Sequence, residues 1–133
     1  MATRRRISGA FGKKLVVTGA TGLIGRRIRE ILLERGAEVV ALTRDPERAR
    51  GLLGEAVTPA FWDFQRPGQG AWRQALEGAY GVIHLAGTPL FEQRWNPAFK
   101  RRMEQSRIGG TRQLAEAVCE ARRRPRAFVS AGV

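Results

Sequence analysis

One stretch limits the folds open to this chain more than any other. Thr18-Gly19-Ala20-Thr21-Gly22-Leu23-Ile24-Gly25 sets three glycines at regular spacing between an apolar run and a helical pattern. The run before it, Leu15-Val16-Val17, is apolar on both faces, as a parallel strand covered by helices on each side must be. After it Leu23, Ile24, Ile28, Ile31, Leu32 and Leu33 recur at helical spacing as far as Arg35, and Gly36 supplies a stop. A strand, glycine turn and helix joined in this way point free backbone N–H groups at one spot, where an anion is favoured. Gly19 permits the tight turn, Gly22 lets the backbone approach a pyrophosphate, and Gly25 lets the helix pack close to the sheet. Each such glycine costs about 0.5–1 kcal/mol of backbone entropy, so a turn without a ligand explains the pattern less well than a nucleotide does.

The same rhythm continues downstream. Residues 38–42 read as a second strand, and residues 46–53 as a short helix with Asp45 as N-cap and Pro46 in its first turn. Residues 58–62 read as a third strand, which Pro59 limits to an edge position or a late start. A Gly/Pro loop at 65–70 and a brief helix at 72–76 lead to a buried strand over 81–86. Asn96-Pro97 then opens a long helix to about Arg122, carrying Phe99, Met103, Ile108, Leu114, Ala117 and Val118, with Gly109-Gly110 as a local weak point. A fifth strand occupies 126–130. Five strands alternating with helices predict an α/β fold, a doubly wound parallel sheet of order 3-2-1-4-5. Ligands are then expected above the carboxyl ends of strands one and four.

Size and composition narrow the function. At 133 residues the chain has room for about one domain, which excludes a two-domain enzyme, and 43% apolar with 27% charged residues is ordinary for a folded globule. Residues 1–13 form a basic arm with Arg4-Arg5-Arg6 and no apolar core for a secretory signal, and residues 14–133 form the domain. No apolar run approaches the ~20 residues of a membrane span. The single cysteine, Cys119, has no internal partner and reads as a small apolar residue on the long helix, so a reducing cytoplasm is expected, with organelle targeting by the basic arm as the alternative. No Cys/His spacing suits a metal. The net charge of +12 would attract polyanions, yet there is no zinc finger, recognition-helix turn or aromatic RNA-binding signature, which argues against a dedicated nucleic-acid module. His84 reads as a hydrogen-bonded core histidine, Tyr80 as a core or loop aromatic, and Trp62, Trp72 and Trp95 as packing residues.

Just past the second strand, where an NAD binder carries an acidic residue, the chain reads Thr43-Arg44-Asp45. Arg44 offers a planar cation for a 2′-phosphate and favours NADP over NAD, the competing reading being a solvated arginine at a strand end. With TGATGLIG, LTRDP and His84-Leu85-Ala86-Gly87 in order, the chain resembles the extended and atypical short-chain dehydrogenase/reductases. Arg94-Trp95-Asn96-Pro97-Ala98-Phe99-Lys100 and Ser106-Arg107-Ile108-Gly109-Gly110-Thr111 narrow the likeness to their epimerase branch, whose members are described as nucleoside-diphosphate-sugar epimerases.

The resemblance implies a Rossmann-like, NADP-binding domain. It assigns Gly19, Thr21, Gly22, Leu23, Ile24 and Gly25 to the pyrophosphate loop and Arg44 to NADP selection. Asp63 would accept from the adenine amino group, and Leu85, Ala86 and Gly87 would line the ribose and nicotinamide side. Arg107 stands on the long helix where many extended members place Asn. The resemblance also implies a Ser/Thr after the fifth strand and a Tyr-x-x-x-Lys pair, in chains that continue for roughly as long again. Tyr80 is the only tyrosine and position 84 is His, so that pair is absent, and Ser130 falls short of the family position, nearer Ala131 or Gly132. No catalytic residue is therefore assigned, and the domain is expected not to catalyse hydride transfer alone. The alternatives are a fragment of a complete oxidoreductase or sugar-nucleotide epimerase, and a non-catalytic module using the helix near 96–122, whose counterpart in extended members helps to form a homodimer.

Overall fold

The computed structural model describes residues 12–85 and 96–131; Arg4-Arg5-Arg6, Ala86, Gly87, Trp95 and Gly132 lie outside them. Strands and helices alternate as β1 (Lys14–Thr18), α1 (Leu23–Glu34), β2 (Glu38–Thr43), α2 (Pro46–Leu53), β3 (Val57–Phe61), α3 (Trp72–Leu76), β4 (Gly81–His84), α4 (Pro97–Glu120) and β5 (Ala127–Ser130). The strands form one parallel sheet in the order β3-β2-β1-β4-β5. Pro59 sits on edge strand β3, where its missing N–H costs no ladder bond to a further strand.

Alternation along the strands divides the core in two. Val16, Val40, Leu42 and Val82 face one side, where Trp72 and Leu76 of α3 and Leu114 and Ala117 of α4 cover them. Leu15, Val17, Val39, Ala41 and Val57 face the other, covered by Leu32 and Leu33 of α1 and Ala49 and Leu53 of α2. Trp72 is fully buried, and its indole N–H donates to the Pro67 carbonyl at 3.1 Å, so the Gly/Pro loop is tied to the core. Burying side chains of this size contributes roughly 1.5–3 kcal/mol each.

Several boundaries move. β3 begins and ends one residue earlier than its sequence pattern suggests, because Trp62 leaves the ladder and turns into the core after its N–H bonds to Thr43. The ladder of β4 stops at His84, two residues short of the expected end. Helix α4 runs unbroken through Gly109 and Gly110. A Cβ on Gly109 would lie 3.1 Å from the Phe64 ring and one on Gly110 3.3 Å from the Trp62 ring, so this pair lets the helix approach the exit of β3 closely. Cys119 is exposed rather than packed, and Ile108 is 58% exposed, because the buried stripe of α4 runs through Gly110, Leu114 and Ala117. Among the described residues no helix is long and apolar enough to cross a membrane.

Candidate functional site

Parallel register brings the chemically informative residues to one end of the sheet. Thr18 pairs with Leu42 of β2 and with His84 of β4, so Gly19, Thr43-Arg44 and Leu85 leave adjacent strands side by side. Thr43 pairs with Phe61, which puts Trp62-Asp63 at the same edge.

The glycine turn is built as the anion reading requires. Gly19 has φ +74°, a backbone conformation that strains any residue with a Cβ, and its carbonyl accepts from the Gly22 N–H at 3.1 Å. Gly22 is the N-cap of α1 in extended backbone, with only the Gly19 carbonyl oxygen near a would-be Cβ, at 3.4 Å; its bare backbone therefore opens outward. Gly25 is buried, and a Cβ there would stand 2.1 Å from the Gly19 oxygen and 2.7 Å from the Ala20 Cα. The close approach at Gly25 is thus to the turn itself, where the sequence pattern pointed to helix-against-sheet packing. No side chain caps α1 and no acidic residue stands in its first turn, which leaves the N-terminal amides unscreened. Arg26 Nε donates to the Thr21 carbonyl at 3.0 Å and ties the turn to the helix. Leu23 and Ile24 project outward, 90% and 66% exposed.

Beneath the turn lies a buried relay that sequence inspection did not assemble. The Leu85 N–H donates to Thr18 Oγ1 at 3.0 Å, and Thr18 Oγ1 lies 2.7 Å from His84 Nδ1. His84 Nε2 lies 3.1 Å from Thr111 Oγ1 on α4. With the Thr18 hydroxyl donating to Nδ1, the neutral ring carries its proton on Nε2 and donates it to Thr111. Burial, and secondarily the positive charge of Arg107, lower the His84 pKa below its ordinary 6.5. The histidine is therefore a neutral strut joining β1, β4 and α4. A second strut is Gln113, which accepts from the Trp62 indole N–H at 2.6 Å and donates to the Phe64 carbonyl at 2.8 Å. Gln113 and Thr111 carry no motif signal; a His at the end of a buried strand beside Thr18 is the only hint of either strut.

The remaining candidates are less uniform. Arg44 is exposed, beyond the end of β2. Asp63 Oδ1 accepts from the Gln65 N–H at 3.0 Å, so this carboxylate shapes its own turn. Arg107 is half-buried, and its Nε is buried without a hydrogen-bond partner among the described residues. Ala86 and Gly87 lie outside the described residues. Among those residues no group of His, Cys, Asp and Glu is arranged to hold a metal ion.

A sheet of this order with a glycine-rich first turn is the architecture of dinucleotide-binding α/β domains. Comparison with known proteins makes that class specific. The profile of the NAD dependent epimerase/dehydratase family matches residues 15–132, and the chain belongs to that family. It is 35% identical over 122 residues to the chloroplastic epimerase family protein SDR39U1 homolog of Arabidopsis thaliana, covering 86% of this chain and 33% of the relative. It is 32% identical over 127 residues to dihydroflavonol 4-reductase of Dianthus caryophyllus, covering 91% and 34%. The crystal structure of human epimerase family protein SDR39U1 (isoform 2) with NADPH superposes with a TM-score of 0.67 at 27% identity, covering 88% of this chain and 35% of that one. The chain spans about a third of the length of these curated relatives, a smaller share than the half that the sequence resemblance implied.

Proposed function

We propose that the crevice above the carboxyl ends of β1, β2 and β4 binds NADP(H), and that residues 14–133 act as the coenzyme-binding domain of an NADP-dependent reductase or epimerase. The observation that carries this reading is the uncapped start of α1 behind the positive-φ turn at Gly19, with Arg44 leaving the neighbouring strand. The residues suit the coenzyme: Gly25 lets the turn close against the start of α1 where a Cβ would collide with the Gly19 carbonyl, and no side chain caps the first-turn amides of the helix. In this reading Gly19, Thr21, Gly22, Leu23, Ile24 and Gly25 hold the pyrophosphate, chiefly through backbone N–H groups. Arg44 pairs with the 2′-phosphate, and Asp63 accepts from the adenine amino group through its remaining oxygen. Leu85, Ala86 and Gly87 line the ribose and nicotinamide side, with the relay at His84 holding Leu85 in place. Arg107 is assigned to the same crevice from α4. The coenzyme supplies the hydride; this chain's part is to bind and orient it, since the Tyr-x-x-x-Lys pair that would move a substrate proton is not among its residues.

Calorimetric titration with NADPH and NADH tests the proposal. NADPH should bind more tightly, and Arg44→Ala should weaken NADPH by roughly 10- to 100-fold, the loss of a charge-assisted pair, while leaving NADH nearly unchanged. Absence of binding by either coenzyme, or a preference for NADH, would reject it.

We assign the setting to the cytoplasm, in keeping with a single exposed cysteine. The outward face of α4, with Ile108 exposed, supports a homodimer contact there. Light scattering that gives the monomer mass across a hundredfold range of concentration would remove that contact.

A further inference from the structure

The opposite end of the sheet carries a second concave site whose chemistry the dinucleotide reading does not use. A cavity of about 520 Å³ opens where β1, β4 and β5 begin. Its frame is backbone. The Tyr80 N–H donates to the Lys14 carbonyl at 2.7 Å, the Arg126 N–H to the Tyr80 carbonyl at 2.8 Å, and the Gly78 N–H to the Arg123 carbonyl at 2.9 Å. These bonds set the turn before β4 and the turn before β5 side by side. Five cations line the wall, Lys13, Lys14, Arg123, Arg124 and Arg126, against two carboxylates, Glu38 and Glu77.

The lining keeps an excess of positive charge, five cations against two carboxylates, although the Glu77 carboxylate attracts Arg123 and Arg122. Both oxygens of Glu77 are taken by backbone, accepting from the N–H groups of Arg123 and Arg122 at 3.0 Å each, which keeps the group ionised and staples the turn. Lys14 Nζ is spent on the Glu77 carbonyl at 3.0 Å. Arg27–Glu30, Arg29–Glu30 and Arg73–Glu120 form ion pairs, whereas Arg123, Arg124 and Arg126 form none within 4 Å among the described residues. The Arg123 guanidinium lies over Gly78, where a Cβ would come within 3.2 Å of it, so the side chain rests against the wall. Lys13 Nζ stands 4.1 Å above the Tyr80 ring, held at the rim. Three arginines and two lysines lining one concavity suit an anion with more than one phosphate group, which a guanidinium can take in bidentate fashion.

We propose that this cavity is a binding site for a small oligophosphate-bearing molecule, separate from the dinucleotide crevice at the other end of the sheet. A nucleic-acid strand fits it less well, because successive bases need stacking platforms and the cavity's one aromatic face, that of Tyr80, is covered by Lys13. The site does not depend on the dinucleotide reading, and either can fail alone.

The test is titration of the full chain with inorganic pyrophosphate at fixed ionic strength, followed by calorimetry and by amide shifts in ¹H–¹⁵N spectra. It is run with and without saturating NADPH, so that any pyrophosphate taken by the glycine turn is identified. Shifts should centre on Gly78, Tyr80 and residues 123–126, and should persist in the Gly25→Ala variant. Arg123→Ala combined with Arg126→Ala should weaken binding at least tenfold, and Arg123→Lys, which keeps the charge and loses the fork, should weaken it measurably. Arg101→Ala with Arg102→Ala removes the same charge from α4 and should leave binding unchanged. An equal loss in that control would reduce the effect to general attraction and overturn the proposal. So would an absence of pyrophosphate binding, shifts confined to residues 19–25, or binding of a single-stranded oligonucleotide without binding of pyrophosphate.

Discussion

The two ends of the sheet present hydrogen-bond donors by different means. At the carboxyl ends of β1 and β4 the donors are backbone amides exposed by glycines, and their positions follow from φ values and close approaches at Gly19 and Gly25. At the amino ends the donors are arginine and lysine side chains set on a backbone frame. A site made of backbone is sensitive to the addition of one carbon and indifferent to most side chains. A site made of side chains is sensitive to their removal and tolerant of small backbone change. The difference explains why the first end announces itself in the sequence and the second does not: arginines are spread along the whole chain, whereas three glycines between a strand and a helix are confined to one place.

The largest effect that sharpens this contrast belongs to Gly25→Ala. The added Cβ meets main-chain atoms that cannot move aside, so the variant should abolish NADPH binding and lose about 1–3 kcal/mol of stability by overpacking, read by titration and denaturant unfolding. Retained binding would break the claim that backbone builds this end. Next comes His84→Ala, which removes the ring that joins the Thr18 and Thr111 hydroxyls and should cost roughly 1–3 kcal/mol.

The same histidine sets a pH dependence. Because its folded-state pKa lies below the ordinary 6.5, the unfolded chain binds the proton more readily. Its contribution to stability is full above pH 6.5 and is lost as pH falls from there through the lowered folded-state value. Denaturant midpoints measured from pH 7.5 downward should show this decline in the parent chain and a shallower one in His84→Ala; identical profiles would remove the strut.

Smaller is the effect of Gly78→Ala at the opposite end. Gly78 has φ +72°, so the substitution should cost about 1–2 kcal/mol in backbone strain. The atom it meets is the end of a flexible Arg123 side chain, and NADPH affinity should not change. A loss of NADPH affinity comparable with that of Gly25→Ala would show that the two ends are not separate.

How much was legible follows from where the information sits. Strand order, the N-cap of α2 and the edge position of β3 were readable because periodicity, Asp45-Pro46 and Pro59 are local signals; the Asp45 side chain does accept from the Arg48 N–H at 3.1 Å. The role of Gly25 was read only in part, since its contact lies within the turn, and the glycine pair in α4 marks an approach to Trp62 and Phe64 rather than a weak point. The struts at His84 and Gln113 were hidden because they join residues 27 to 66 positions apart. Polar contacts between distant segments leave no periodic trace in a single sequence. The exposure of Cys119 was missed for a related reason: the buried stripe of α4 is set by the glycines and Leu114, which turn the cysteine outward.

The most direct measurement is an amide-resolved NADPH titration of the ¹⁵N-labelled chain. The predicted result is saturable shifts at Gly19, residues 22–25, Arg44 and Leu85, with Tyr80 and Arg126 unmoved. Unchanged spectra, or shifts confined to the residues where β1, β4 and β5 begin, would contradict the assignment of the coenzyme to the glycine turn.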